Sequence, residues 1–206
     1  MGAFSSLIII FLLKISIAFS LCADVTKAFK DNEIEPDVVS VSPTKLIEVI
    51  YPNGVCVNLG NELTPTQVKD KPMIKWDADP NEFYTILMTD PDAPSRTNPI
   101  AREYRHWAVV NIPGDAVENG DTVFGYIGAG PPEDTGLHRY IFLVYKQPNG
   151  KIQYNETFVS SRSLENRPKT STEDFSRKFN LGNAQFGNYF LAQYDDYVPI
   201  FYQQFN

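Results

Sequence analysis

Two aspartates and two histidines are the residues of this sequence whose types and positions could do chemistry. Asp90 and Asp92 stand in the stretch TDPDAPSR, directly after the apolar run FYTILM, and His106 and His138 are the two histidines of the chain. A carboxylate that accepts a hydrogen bond from an imidazole fixes its tautomer and favours its protonated form, which can then donate to an anion. The residue types therefore suggest an anion site braced by carboxylates. A single strand histidine is, however, more often just a buried, hydrogen-bonded residue.

Local geometry determines which of these groups can meet. His138 opens the apolar segment HRYIFLVYK, and side chains alternate along a strand. His138 and Tyr140 are therefore expected on one face and Arg139 on the other. Pro91 and Pro94 fix their own φ angles and restrict the residues before them, so TDPDAPSR should leave its strand as a stiff turn.

The segment GYIGAGPPEDTG, residues 125–136, leads into the strand that carries His138. Its glycines would let a ligand approach the backbone amides, and its two adjacent prolines would stiffen the loop that presents them. It lacks the Gly-Lys-Ser/Thr of a nucleotide-binding P-loop. Taken alone, it could equally be an ordinary surface loop.

The elements that must position these residues indicate one mainly β domain. Asn53-Gly54 predicts a tight hairpin. Strands are expected in the apolar runs PMIKW, FYTILMT, HWAVVNI, HRYIFLVYK and NYFLAQY, with turn residues between them, a pattern that favours an antiparallel sandwich. Short helices are expected in DVTKAFKDNEI, in STEDFSRKFNLG from Ser171 or Thr172 to a stop at Gly182, and in DDYVPIFYQQF behind Asp195 or Asp196.

The N-terminal segment has the composition of an export signal. Residues 1–20 are almost wholly apolar and predict a signal peptide cleaved near Ser20 or Ala23, with residues 21–206 forming a single domain. A membrane anchor is the alternative, but Lys14 divides the run into pieces shorter than the ~20 apolar residues that a spanning helix needs. No transmembrane segment is then expected after cleavage, and the protein is expected to be extracellular.

Two covalent features depend on that export. Cys22 and Cys56 could form a disulfide if cleavage precedes Cys22, whereas later cleavage would leave Cys56 alone. Asn155 begins the sequon Asn-Glu-Thr, which predicts a glycosylated surface position.

Charge and motif content exclude several function classes. The formal net charge is −7, so neither nucleic acid nor an anionic membrane surface is an expected partner. His106 and His138 lie on separate predicted strands without the His-Glu-x-x-His spacing of a metal site, and no Gly-x-Ser-x-Gly nucleophile turn is present. A hydrolytic enzyme is therefore the least favoured hypothesis, and no metal or cofactor is expected.

Taken together, the motifs resemble one known family. DPDAPSR, REYRHWAVVNIPG, GAGPPEDTGLHRYIFLVYKQ and the C-terminal YDDYVPIFYQQ occur in the order and spacing of the phosphatidylethanolamine-binding proteins, also called the Raf kinase inhibitor family. The resemblance runs from about residue 40 to the end. It implies a large central antiparallel sheet packed on a smaller sheet, with short peripheral helices, and a small pocket for phosphate and phospholipid head groups. The residues that it implies for the pocket are Asp90, Asp92, Pro94, His106, Gly130, Pro131, Pro132, His138, Tyr140 and Tyr202.

The sequence departs from the family pattern at the rim of that pocket. Tyr104-Arg105-His106 stands where many members have an aromatic residue and two histidines, and Ala101 stands where a tyrosine is usual. A wider and more basic rim is therefore expected.

The favoured function is that of a secreted, monomeric, non-enzymatic protein that binds phosphate-bearing small molecules or phospholipid head groups such as that of phosphatidylethanolamine. The alternative is a serine protease inhibitor or an extracellular interaction protein, with proteases or cell-surface proteins as partners. Because the resemblance concerns a pocket and the sequence contains no disulfide-stapled reactive loop, the first function is preferred.

Overall fold

A six-stranded sheet forms the centre of the fold in a computed structural model that describes residues 24–205. The strands are β1 Lys45–Leu46, β2 Glu48–Ile50, β3 Met73–Lys75, β4 Phe83–Asp90, β5 Tyr104–Pro113, β6 Asp121–Phe124, β7 His138–Gln147 and β8 Phe186–Ala192. The helices are α1 Val25–Asp31, α2 Thr172–Lys178 and α3 Val198–Gln203, together with a helical turn at Ile34–Asp37 and a 3-10 turn at Val117–Asn119.

The large sheet has the order β1-β8-β7-β4-β5-β6, and β2 pairs with β3 in a separate small sheet. Every pair in the large sheet is antiparallel except β1 with β8, which run parallel. The predicted large sheet packed on a smaller one is confirmed, and the large sheet includes one parallel pair at this edge. β1 has only two residues, too few for alternation to reveal a strand, and a short edge strand can take either direction.

The two faces of the large sheet are both covered. One face packs against the small sheet, with Val49 and Ile74 in the same apolar cluster as Phe142. The other face carries a second cluster that includes Phe29 of α1 and Tyr189 of β8, whose rings meet edge to face at 5.6 Å. Burial of a large apolar side chain contributes roughly 1.5–3 kcal/mol. Because both faces of the central strands are buried, their sequences are continuous apolar runs and do not alternate between apolar and polar residues.

The helix predictions are confirmed with shifted ends. The Asp24 carboxylate caps α1 by accepting from Lys27 N, and Ser171 Oγ caps α2 by accepting from Asp174 N. α2 ends at Lys178, before the predicted stop at Gly182. α3 begins at Val198 behind Tyr197, and not directly behind Asp195 or Asp196.

The hairpin predicted at Asn53-Gly54 is also present. Tyr51 N donates to Val55 O at 2.8 Å, and Gly54 adopts a φ of 84°, a left-handed conformation that glycine accepts without steric cost. Beyond the turn, pairing on this side continues only as an isolated bridge between Ile50 and Cys56.

The predicted signal peptide, its cleavage sites and Cys22 lie outside the described residues, so the Cys22–Cys56 disulfide stays a prediction. Cys56 is exposed. Asn155 is exposed as well, which suits a glycosylation site without testing it. Within residues 24–205, no helix has the length and apolar character to cross a membrane.

Candidate functional site

A cavity of about 160 Å³ opens at one edge of the large sheet, where β4 ends and β5 and β7 begin. Antiparallel pairing brings these three strand ends together, since Asp90 of β4 lies opposite Tyr104 of β5 and Thr89 lies opposite Ile141 of β7. The lining residues are Asp90, Ala93, Pro94, Ala101, Tyr104, His106, Gly130, Pro131, Pro132, His138, Tyr140, Phe201 and Tyr202.

All of the sequence-predicted pocket residues except Asp92 line this cavity. A larger groove of about 340 Å³ lies between α2 and residues 39–41. We regard the smaller cavity as the candidate site because buried titratable side chains converge on it, and such convergence marks functional sites. Residues 24–205 contain no cluster of three or more His, Cys, Asp or Glu side chains that could hold a metal ion.

His138 is held by hydrogen bonds through both of its ring nitrogens. Its Nδ1 lies 2.9 Å from Asp90 Oδ2, and its Nε2 lies 3.0 Å from Thr135 Oγ1. The Thr135 hydroxyl has one proton, which it donates to Pro132 O at 2.7 Å. It must then accept from His138 Nε2. His138 Nε2 therefore donates to Thr135, and one proton lies between His138 Nδ1 and Asp90 Oδ2.

His106 has the opposite character. Its Nδ1 lies 3.2 Å from Ile127 O and 3.1 Å from Gly128 O, and because both oxygens can only accept, Nδ1 carries the proton. Burial lowers the pKa of His106 to about 4, against the opposing influence of Asp90 and the two carbonyl groups. His106 is therefore neutral near pH 7, and the prediction that both histidines would be protonated donors braced by carboxylates was wrong for it.

Tyr140 lies between the two histidines, as strand alternation predicts. Its ring centroid is 5.1 Å from that of His106 in an edge-on arrangement and 6.4 Å from that of His138 in a stacked one. Behind it, Phe190 stacks at 5.0 Å. Burial raises the pKa of Tyr140 well above its usual value, so the hydroxyl keeps its proton and can donate to a ligand.

Asp92 points away from the cavity and does not contact either histidine. Its side chain accepts from Arg139 on the other side of the sheet, with Oδ2 2.9 Å from Nε and Oδ1 2.7 Å from Nη2. Burial alone would raise the pKa of Asp92, but Arg139 more than offsets this and lowers it. Arg139 also binds Asp37 at 2.7 Å. Asp92 therefore anchors the N-terminal segment and is no part of the cavity wall.

The rim of the cavity is apolar, and the expectation of a more basic rim was wrong. Arg105 is 1% exposed and lies on the opposite face of the sheet, with its guanidinium 5.5 Å from the Phe175 ring of α2. Strand alternation places it there, since His106 beside it faces the cavity. Ala101 lines the cavity, and Ile100 next to it is 69% exposed.

α3 forms one wall of the cavity through Phe201 and Tyr202. Tyr202 Oη donates to Gly130 O at 2.8 Å, and Phe201 packs so closely that a Cβ on Gly130 would lie 2.4 Å from its Cε1. Gly130 is therefore required for this contact. The sequence prediction missed Phe201 and Ala93 as lining residues, whereas it placed Tyr104 and Ala101 at the rim. The aromatic face of the C-terminal helix was the available signal for Phe201.

The fold and this site define the class of protein, and comparison with known proteins agrees. Residues 53–190 match the family described as phosphatidylethanolamine-binding protein. The chain belongs to this family, as its motifs indicated.

Two individual relatives are similar to most of this chain. The chain is 36% identical to "Putative odorant-binding protein A5" of Drosophila melanogaster over 176 residues. This match covers 85% of the chain and 83% of the fly protein. The chain is 39% identical over 168 residues to the "26 kDa secreted antigen" of Toxocara canis, covering 80% of this chain and 63% of the antigen. The chain thus matches less than two thirds of the antigen's length.

A solved structure shows the same fold. The carboxypeptidase Y inhibitor, in complex with its cognate proteinase, superposes with a TM-score of 0.72 at 24% identity, covering 87% of this chain and 100% of the inhibitor. At this level of identity, the likeness supports the fold and not a shared activity.

Proposed function

We propose that this protein is a secreted, non-enzymatic binding protein whose cavity takes a phosphate group, either free or on a small molecule or lipid head group. The observation that carries the proposal is the convergence of His106, His138 and Tyr140 on one small cavity at a sheet edge. The family to which the chain belongs supports a phosphate-bearing ligand, since its description names a phospholipid.

The size of the cavity limits what can enter. Sites for drug-sized ligands are roughly 300–1,000 Å³, whereas this one is about 160 Å³. A phosphate with a short substituent fits this volume and a complete phospholipid does not. A lipid would therefore present only its head group, with the acyl chains outside the rim.

Binding without turnover is favoured by the state of the polar groups. His138 has both nitrogens engaged by Asp90 and Thr135, and Asp90 accepts from Asp92 N at 2.6 Å as well. Neither is free to activate a nucleophile. Export is supported by the apolar N-terminal sequence and by the similarity to a protein named as a secreted antigen.

Titration of the purified protein with phosphoethanolamine, followed by calorimetry and by NMR, tests this function. We expect saturable binding and chemical-shift changes at Gly130, His106 and Tyr140. The variant Tyr140→Phe should bind more weakly because it lacks the hydroxyl. Tyr145→Phe is the matched control, since Tyr145 is a buried tyrosine of the same strand on the opposite face. Absence of binding, or equal losses in both variants, would contradict the proposal.

A further inference from the structure

The cavity holds an acceptor where an anion site would be expected to hold a donor. His106 Nδ1 donates to the carbonyl oxygens of Ile127 and Gly128, which fixes the proton on that nitrogen. The opposite nitrogen, Nε2, then presents a lone pair. It has no hydrogen-bond partner among residues 24–205, although His106 is only 4% exposed and lines the cavity. An acceptor that faces a cavity and has no protein partner can take a hydrogen bond from a ligand group that carries a proton.

The lining of the cavity offers little positive charge to a ligand. The Asp90 carboxylate pairs with His138, and none of the lining residues is a lysine or an arginine. Arg105 and Arg139 lie on the other face of the sheet. Arg167 lies behind His106 and donates to backbone carbonyl oxygens, including His106 O at 3.1 Å. A ligand with two negative charges would thus find no unpaired cation among the described lining residues, whereas a singly charged one requires less compensation.

We propose that His106 Nε2 accepts a hydrogen bond from a protonated phosphate oxygen, so that the cavity selects singly charged phosphate monoesters over sulfate esters and phosphodiesters. This inference rests on the proposed phosphate-binding function and names the ligand class of the same site. A monoester bearing one proton supplies the donor that Nε2 lacks, while its other oxygens accept from the Tyr140 hydroxyl. Sulfate esters and diesters carry no such proton near neutral pH, and a site built for a hydrogen bond discriminates strongly against a ligand that cannot make it.

The affinity for a phosphate monoester should depend on pH because the ligand itself titrates near neutral pH. A phosphate monoester has a second pKa of about 6, so its singly charged fraction falls roughly 90-fold between about pH 5 and pH 8. The pKa of His106 is about 4, so this residue stays largely neutral over the same interval. The titratable or charged groups that face His106 are Asp90, His138, Tyr104, Tyr140, Tyr202 and, from behind, Arg167.

Methyl phosphate and methyl sulfate form a matched pair for the test. At about pH 5 both are singly charged and of nearly the same shape, and they differ in the presence of the acidic proton. We expect wild-type protein to bind methyl phosphate at least about tenfold more tightly at this pH, and we expect its affinity to fall with rising pH while the weak binding of methyl sulfate stays flat. Any titration of the protein's own groups would change the affinities for both ligands in the same direction.

The variant His106→Phe keeps a ring and removes the acceptor. It should lower the affinity for methyl phosphate to that for methyl sulfate, with the fold checked by circular dichroism. If the variant does not fold, the wild-type comparison decides alone. Equal affinity of the wild type for the two ligands would overturn this inference and leave phosphate binding intact. Failure to bind any phosphate compound would overturn both.

The source of the monoester is distinguished by two further ligands. Short-chain phosphatidic acid carries a monoester phosphate on a lipid, whereas glycerophosphoethanolamine carries the diester of a phosphatidylethanolamine head group. Tighter binding of phosphatidic acid than of methyl phosphate would indicate a lipid source, and equal binding a soluble one. Preference for the diester over both monoesters would contradict the inference.

Discussion

The Asp90 carboxylate and the His138 imidazole form a buried pair, with Oδ2 2.9 Å from Nδ1 and both residues at most 3% exposed. The pair joins the end of β4 to the start of β7. Through Thr135, it also holds the loop that carries Pro132. One buried hydrogen-bonded pair therefore fixes two strands and one wall of the cavity.

Replacing Asp90 by asparagine should weaken the buried contact between this side chain and His138 Nδ1. We expect the free energy of unfolding to fall by about 3 kcal/mol, as is typical when one partner of a buried pair is removed. Urea denaturation measures the loss, and the ¹⁵N NMR spectrum of the imidazole ring reports the change in its hydrogen bonding. Unchanged stability together with an unchanged His138 ring spectrum in Asp90→Asn would contradict the prediction.

Asp92→Asn is the matched comparison two residues along the same turn. It breaks the buried pair with Arg139, so we again expect a loss of about 3 kcal/mol in the free energy of unfolding. Because Asp92 points away from the cavity, phosphate affinity and the His138 ring spectrum should not change. A loss of affinity in the folded variant, measured by calorimetry, would show that Asp92 acts on the site.

The contact between Gly130 and α3 makes a steric prediction. A Cβ on residue 130 would lie 2.4 Å from Phe201 Cε1, so Gly130→Ala should displace the helix and cost about 1–3 kcal/mol of stability. Adding Phe201→Leu should recover part of that loss, because the smaller side chain makes room. Thermal unfolding of both single variants and the double variant measures the coupling. Strict additivity would indicate that the two residues do not press on each other.

Buried His106 should make stability depend on pH. Its pKa is about 4 in the folded protein and roughly 6.5 in an unfolded chain. The unfolded state therefore binds the extra proton first, and stability falls as the pH is lowered from about 6.5 to about 4. The largest effect is about 3 kcal/mol. Carboxylates titrate in the same interval, so urea denaturation of wild type and His106→Phe should be compared at several pH values. Parallel profiles would contradict the prediction.

The site could be predicted from the sequence to the extent that it follows strand alternation. His138 and Tyr140 face the cavity because they are two positions apart on β7, and Arg139 faces away for the same reason. Asp90 and Asp92 are also two apart, but they lie where β4 gives way to the turn, and alternation ends there. Their separation onto opposite sides could not be predicted without the coordinates of the turn.

The protonation of His106 was not predictable for a different reason. It depends on the carbonyl groups of Ile127 and Gly128, which are distant in sequence and reach the ring only after the loop folds. The parallel pairing of β1 with β8 has a similar cause, since a two-residue strand carries no periodic signal. Long apolar strands and capped helices, by contrast, could be read directly from their patterns.

The ¹⁵N NMR spectrum of the His106 ring, recorded near pH 6 with and without methyl phosphate, tests the account most directly. We predict a neutral ring in the free protein, with Nδ1 protonated and Nε2 bare, and a change in the Nε2 shift towards that of a hydrogen-bonded acceptor as ligand is added. A doubly protonated His106 ring in the free protein, or an Nε2 signal that does not move at saturating methyl phosphate, would contradict it.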